Sequence, residues 1–228
     1  MEPQMESNSK KLFVECLGTC IFFFIGAGAI ITNQFSNGAV GLIGIALAHG
    51  IILSIMVSAF GGISGGHFNP AVTFAVMIAK RISVSLGLQY IGAQLIGGVL
   101  AGLLLRTVFS GDLCAAVHLG TPAVAGGISV GTAVLVEAIL TFALVISVFG
   151  TAIDPRAPKI AGFGIGLTLM VDILVGGPLT GASMNPARTF GPGLVAGFWE
   201  NHWVYWVGPL LGGGLAGFVY EKFIMEKK

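Results

Sequence analysis

Charged side chains are scarce in this chain. Asp, Glu, Lys and Arg make up 9% of its 228 residues, against about 25% in a soluble domain. So few charges cannot cover a water-facing surface, and with 55% hydrophobic residues the composition points to a bilayer. An excess of either sign is also missing: the net charge is +1, which gives no attraction to nucleic acid or another polyanion. The three cysteines, Cys16, Cys20 and Cys114, form neither an even disulfide framework nor a metal-ligand spacing. No metal or cofactor is therefore expected, and Cys16 and Cys20, one helical turn apart in an apolar run, read as small packing residues. Phosphate loops and nucleophile–base arrangements are absent too, which argues against an enzyme. No cleavable leader is expected, because the polar start runs into a long apolar stretch without a small-residue cleavage site.

Long apolar runs and glycine are abundant. Stretches near 12–32, 40–60, 85–107, 130–150, 160–178 and 203–224 have the roughly 20 residues needed to cross a bilayer. With no water to pair exposed backbone, each is expected to be a helix. Two further apolar stretches, 70–79 and 186–198, are too short to span. Each begins at Asn-Pro, where Asn is a favoured N-cap and Pro fits the first helical position. Ten residues give roughly 15 Å, half a bilayer, so these read as half-helices.

The placement of cations orients the chain. Lys10, Lys11, Lys80, Arg81, Arg156, Lys159, Lys222, Lys227 and Lys228 fall on one side, leaving Arg106 and Arg188 on the other. The positive-inside rule then makes both termini cytoplasmic. The segment near 108–128, with Cys114, His118 and Pro122, becomes the longest extracytoplasmic connection, and Asp154–Lys159 a cytoplasmic turn.

Three phrases recur in the same order about 115–122 residues apart. Val14-Glu15-Cys-Leu-Gly-Thr19 matches Val136-Glu137-Ala-Ile-Leu-Thr141. Ile63-Ser-Gly-Gly-His-Phe-Asn-Pro-Ala-Val-Thr-Phe74 matches Leu179-Thr-Gly-Ala-Ser-Met-Asn-Pro-Ala-Arg-Thr-Phe190. Tyr90-Ile-Gly-Ala-Gln-Leu-Ile-Gly-Gly-Val-Leu-Ala-Gly102 matches Tyr205-Trp-Val-Gly-Pro-Leu-Leu-Gly-Gly-Gly-Leu-Ala-Gly217. Each half, approximately 10–108 and 129–225, holds three spans. An odd number forces the second half to enter from the opposite face, giving an inverted repeat. The expected fold is an all-α membrane protein of six transmembrane helices plus two re-entrant half-helices whose Asn-Pro starts meet near the midplane. Glycines in the third phrase should let packed helices approach closely.

These residues resemble the aquaporins of the major intrinsic protein family over essentially the whole chain. Both Asn-Pro-Ala boxes, Asn69-Pro70-Ala71 and Asn185-Pro186-Ala187, are intact. The paired Glu-x-x-x-Thr and the Gln-Leu-x-Gly-Gly phrase also match. The resemblance implies a passive channel for water and small neutral solutes, one pore per subunit of a homotetramer. In such a pore the Asn69 and Asn185 amides, beside two helix N-termini, orient water by its oxygen and repel cations.

Arg188 sits at membrane depth, where a charge faces a wet cavity or a partner; the first repeat has Val72 there. By resemblance Arg188 belongs to an aromatic/arginine constriction, whose other members map by spacing to His49, Ile173 and Ala182. This set is similar to tonoplast intrinsic proteins and ammonia-permeable aquaporins. Glycerol facilitators usually carry Trp at the His49 position and Asp where Thr189 stands. Ile173 and Ala182 should widen the constriction, making water, ammonia and hydrogen peroxide the expected permeants. Gly65, Gly66 and His67, with Gly181, Ala182 and Ser183, precede the half-helices and are expected to line the pore with carbonyls. Glu15 and Glu137 are expected to accept backbone N–H groups of these loops. Asp172 has no counterpart in the first half; a bond to a neighbouring loop or helix and a subunit contact both stay open. His118 reads as a surface loop residue. Alternatives are a glycerol/urea-type facilitator or an inverted-repeat secondary transporter, the latter needing coupling-ion ligands that the midplane amides do not supply. A junction protein would leave Arg188 unexplained. The expected location is the plasma membrane or an internal, vacuolar one.

Overall fold

The computed structural model describes residues 7–158 and 160–226; Lys159, Lys227 and Lys228 lie outside the described residues. The helices are α1 (Asn8–Phe35), α2 (Gly41–Ser64), α3 (Pro70–Ile78), α4 (Val84–Val108), α5 (Gly111–Ala116), α6 (Val130–Val148), α7 (Ala161–Thr180), α8 (Pro186–Ala196) and α9 (Val204–Val219). No strand occurs among the described residues. Helices α6 and α9 each continue through a π-helical turn, Phe149–Ile153 and Tyr220–Ile224. Helices α1, α2, α4, α6 with its π turn, and α7 are long and apolar enough to cross a membrane. The 16 α-helical residues of α9 cover roughly 24 Å, and its π turn brings it to spanning length.

Helix ends depart from the hydropathy reading for local reasons. Helix α1 starts at Asn8 rather than near 12 because Ser7 caps a polar first turn, its side chain accepting from the Lys10 N–H at 3.3 Å. Helices α2 and α7 run to Ser64 and Thr180, α7 passing through Pro178. Both stop at a left-handed glycine, Gly65 (φ 94°) and Gly181 (φ 78°), a conformation only glycine adopts without strain.

The two halves pack alike. Helix α1 lies on α4 and α6 on α9, while α2 and α7 meet between the halves. Gly97 on α4 touches the backbone of Cys16, and Gly212 on α9 that of Ala138. A Cβ at either would sit within about 2.3 Å of a carbonyl oxygen, so these contacts require glycine. The half-helices cross over: α8 packs on α4 of the first half, and α3 on α9 of the second. Gly98 faces the Ala187 carbonyl and Gly213 the Ala71 carbonyl. The outer helix faces are apolar, with Phe13, Ile43, Leu88, Leu135, Phe163 and Val175 all exposed. Within the long connection, α5 and the turn His118–Gly120 form a cap, and buried Leu119 packs beside Ile31 and Leu105.

Candidate functional site

Helices α3 and α8 start end to end. Asn69 and Asn185 have extended backbone (φ −156° and −154°), with Pro at the first helical position. Each side chain splits its hydrogen bonds. The Oδ1 of Asn69 accepts from the Ala71 N–H at 2.8 Å, and that of Asn185 from the Ala187 N–H at 3.0 Å. The Nδ2 of Asn69 donates to the Met184 carbonyl at 2.8 Å, and that of Asn185 to the Phe68 carbonyl at 2.9 Å. A primary amide carries two N–H donors, so each retains one. Both residues line a cavity of about 960 Å³ that opens between Lys11, Arg81 and Ile160 at the end carrying the chain termini.

The loops before the half-helices are strained and held. Gly66 and Ala182 (φ 63° and 44°) and Phe68 and Met184 (φ 48° and 52°) are left-handed, which costs a non-glycine residue roughly 1–2 kcal/mol. Two buried carboxylates hold this shape. Glu15 accepts from Ser64 Oγ (2.6 Å), His67 N (3.0 Å) and Phe68 N (2.7 Å). Glu137 accepts from Thr180 Oγ1 (2.7 Å), Ser183 N (2.9 Å) and Met184 N (2.7 Å). Glu15 has a fourth donor, Gln94 Nε2 at 2.8 Å; Pro209 stands at the matching place in the repeat. The phenols of Tyr90 and Tyr205 donate to the carbonyls of Ser64 and Thr180, both at 2.8 Å. Ser64, Thr180, Gln94, Tyr90 and Tyr205 were not singled out from the sequence. The signal was a hydroxyl residue and a tyrosine recurring at matched positions of both repeats.

Gly65, Gly66 and His67 line the cavity, as does Ser183. The Gly181 carbonyl instead accepts from Arg188 Nη1 at 3.0 Å. The remaining guanidinium nitrogens reach across to His49, with Nε and Nη2 each 3.3 Å from its Nε2. The other ring nitrogen, Nδ1, lies 2.8 Å from the Ile45 carbonyl. Because a carbonyl only accepts and a guanidinium only donates, Nδ1 carries the proton and Nε2 is the acceptor. Gly26 on α1 creates the space: a Cβ there would meet the His49 ring at 2.6 Å. Ile173 is buried on α7 one turn before Gly176, against whose bare backbone the Ala182 methyl packs. His49 and Arg188 are thus in contact, whereas Ile173 and Ala182 are joined through α7. None of the four lines the cavity, which ends at Asn69, Asn185 and Ser183.

Asp172 is buried on α7, and among the described residues its Oδ2 is unpartnered and it forms no bond to a neighbouring loop or helix. His118 is exposed and stacks on Phe198, ring centroids 4.0 Å apart. No cluster of three or more metal-ligating side chains occurs among the described residues.

A sequence-family model described as major intrinsic protein matches residues 2–220. The chain belongs to the major intrinsic protein family. It is 45% identical over 226 residues to aquaporin TIP4-4 of Zea mays, covering 96% of this chain and 88% of that one. To the probable aquaporin TIP3-2 of Arabidopsis thaliana it is 48% identical over 224 residues, covering 92% and 82%. The fold is that of the aquaglyceroporin from Plasmodium falciparum, with a TM-score of 0.86 at 22% identity over 96% of this chain and 97% of that one. Membership makes the chain a multi-pass integral membrane protein of a channel family, not an enzyme. Within the family fold, the paired Asn-Pro-Ala starts lie at the inner end of the cavity, and the Arg188–His49 contact lies beyond it.

Proposed function

We propose that this protein is a passive channel conducting water, and with it ammonia and hydrogen peroxide, while excluding protons and ions. The reciprocal amides carry this reading. Each Asn spends one N–H on the opposite loop and keeps one for the cavity, so a passing water meets two donors from opposite repeats at one point. Two helix N-termini converge there, and their positive ends disfavour cations. The name of the aquaporin relatives supports the same permeant. Glu15 and Glu137 act as scaffolds for the loops, and His49, Ile173, Ala182 and Arg188 form the constriction. Gly65, Gly66, His67 and Ser183 supply carbonyl acceptors on the cavity side, whereas the Gly181 carbonyl is engaged by Arg188 and Ala182 stands at the constriction. Both termini face the cytoplasm, in line with Lys10, Lys11, Lys80, Arg81, Arg156 and Lys222 at one end. Resemblance to tonoplast intrinsic proteins supports a vacuolar membrane and a homotetramer with one pore per subunit.

Stopped-flow shrinkage of proteoliposomes tests the reading. Fast water flow with a low activation energy, independent of ion gradients, is expected. Saturable, gradient-driven flux would overturn it. The same vesicles challenged with ammonia, peroxide, urea and glycerol define the solute range; fast glycerol flux with slow water would favour a facilitator instead.

A further inference from the structure

A second concavity, a groove of about 790 Å³, lies beside the mouth of the pore at the end carrying the termini. Lys80 and Arg81 form one side, at the exit of α3. Phe218, Glu221, Lys222 and Glu226 form the other, at the end of α9. The charges divide unevenly. Glu221 is taken by Arg81 in a bidentate pair, Nε and Nη2 at 3.0 and 3.1 Å. Glu226 is taken by Arg156 at 3.5 Å. Lys80 and Lys222 therefore have no carboxylate partner among the described residues. The Lys222 ammonium rests over the Phe218 and Phe223 rings, 5.2 and 5.5 Å from their centroids.

Lys80 is independently unusual. It ends α3 in a left-handed turn (φ 56°), its N–H bonding the Met77 carbonyl and that of Arg81 the Val76 carbonyl. This is the position of a helix-terminating motif that glycine ordinarily fills. A lysine there retains a strained backbone while presenting a charge to the groove, and such strain collects at binding sites. Next to the two ammonium groups, Ile78, Phe218, Phe223 and Ile224 are exposed on the helix ends. Cationic groups bordered by apolar side chains at a helix end match an amphiphile with an anionic head and a hydrocarbon tail.

We propose that this groove binds an anionic phospholipid of the leaflet at that end, its phosphate between Lys80 and Lys222 and its acyl chain along Phe218 and Ile78. Groove size is that of a ligand site, and basic residues at a membrane surface favour acidic lipids. The test uses the full chain in detergent, read as the melting-temperature shift during titration with short-chain phosphatidic acid. Phosphatidylcholine of the same chain length and inorganic phosphate are titrated in parallel. Phosphatidic acid is expected to raise the melting temperature and the other two are not. Lys80→Gly suits the left-handed turn and removes the charge, and Lys222→Met keeps an apolar stem. Each should weaken the apparent affinity about fivefold, with water permeability retained, and the double variant should lose the response. Lys80→Arg with Lys222→Arg should keep it. An equal shift with phosphatidylcholine, an undiminished shift in the double variant, or full reproduction by inorganic phosphate would each overturn the proposal.

Discussion

Ala182 occupies a left-handed position that its counterpart fills with Gly66, and its methyl packs under Gly176. Ala182→Gly should therefore relieve backbone strain, raising stability by about 0.5–1 kcal/mol after the entropy of the added glycine is set against it. It should also widen the passage beside Arg188, seen as faster urea flux in vesicles. At the opposite wall, Gly26→Ala places a methyl where the His49 ring lies. Expected are a loss of about 1–3 kcal/mol from overpacking and a changed ammonia-to-water permeability ratio; an unchanged ratio would show that the ring does not set selectivity. Replacing Asn69 or Asn185 by Asp sets a carboxylate where the two helix dipoles meet. Cation leak, measured as decay of a potassium gradient across vesicles, should rise.

At the scale of elements, the re-entrant loops depend on their glutamates. Glu137→Ala strands the Thr180 hydroxyl and the Ser183 and Met184 N–H groups in a buried setting, a cost on the order of 3–5 kcal/mol. Thermal melting should drop accordingly, and water flow with it. The spans and half-helices were legible because hydropathy and the Asn-Pro caps are local signals. Less local features were not. Helix α5 is a six-residue helix inside a segment that read as connection only, and the π turns after α6 and α9 leave no mark on an apolar pattern. The site was legible in part for the same reason. Matched repeats pointed to Asn69, Asn185 and the two glutamates. The donors that meet the glutamates come from α2, α4 and α7, and only packing brings Gln94, Ser64 and Thr180 to them. Spacing chose His49 and Arg188 without disclosing that the two bond directly. Nor did it disclose that Asp172 would lack a partner.

For the whole molecule, one clasp ties the turn after α6 to the end of α9. Asp154, in the turn between α6 and α7, accepts from Arg156 N and Nε at 2.9 and 3.0 Å and from Arg156 Nη2 at 2.6 Å. Tyr220 donates to it at 3.2 Å, and Arg156 reaches on to the Ile224 carbonyl at 2.8 Å. These bonds from Arg156 hold the Asp154 carboxyl well below the usual carboxylate range. A depressed carboxylate contributes stability that is fully present above its unfolded value, roughly pH 4, and is lost as pH falls through the lower folded value. Acid should therefore loosen the turn from the end of α9. Asp154→Asn should remove that part of the pH dependence of melting below about pH 4. Close helix contact is the other global constraint. Gly212→Ala drives a methyl into the Ala138 carbonyl, and a melting loss equivalent to about 1–3 kcal/mol is expected.

The exchange of half-helices between the two halves bears on biogenesis. Helix α3 is made early, yet the surface it packs on belongs to α9, which leaves the ribosome after α4, α6 and α7. At translation rates of about 5–20 residues per second, the first loop waits seconds for that partner. During the wait the Asn69 amide lacks the Met184 carbonyl, and the Ala71 carbonyl lacks the bare face of Gly213. A nascent chain halted after α7 should therefore leave the side of α3 that Gly217 later covers open to a water-soluble thiol reagent, read by a cysteine placed at Ala75. Completion of α9 should close it. The channel lining would then be the last part of the molecule to mature, whatever the order in which its spans enter the membrane.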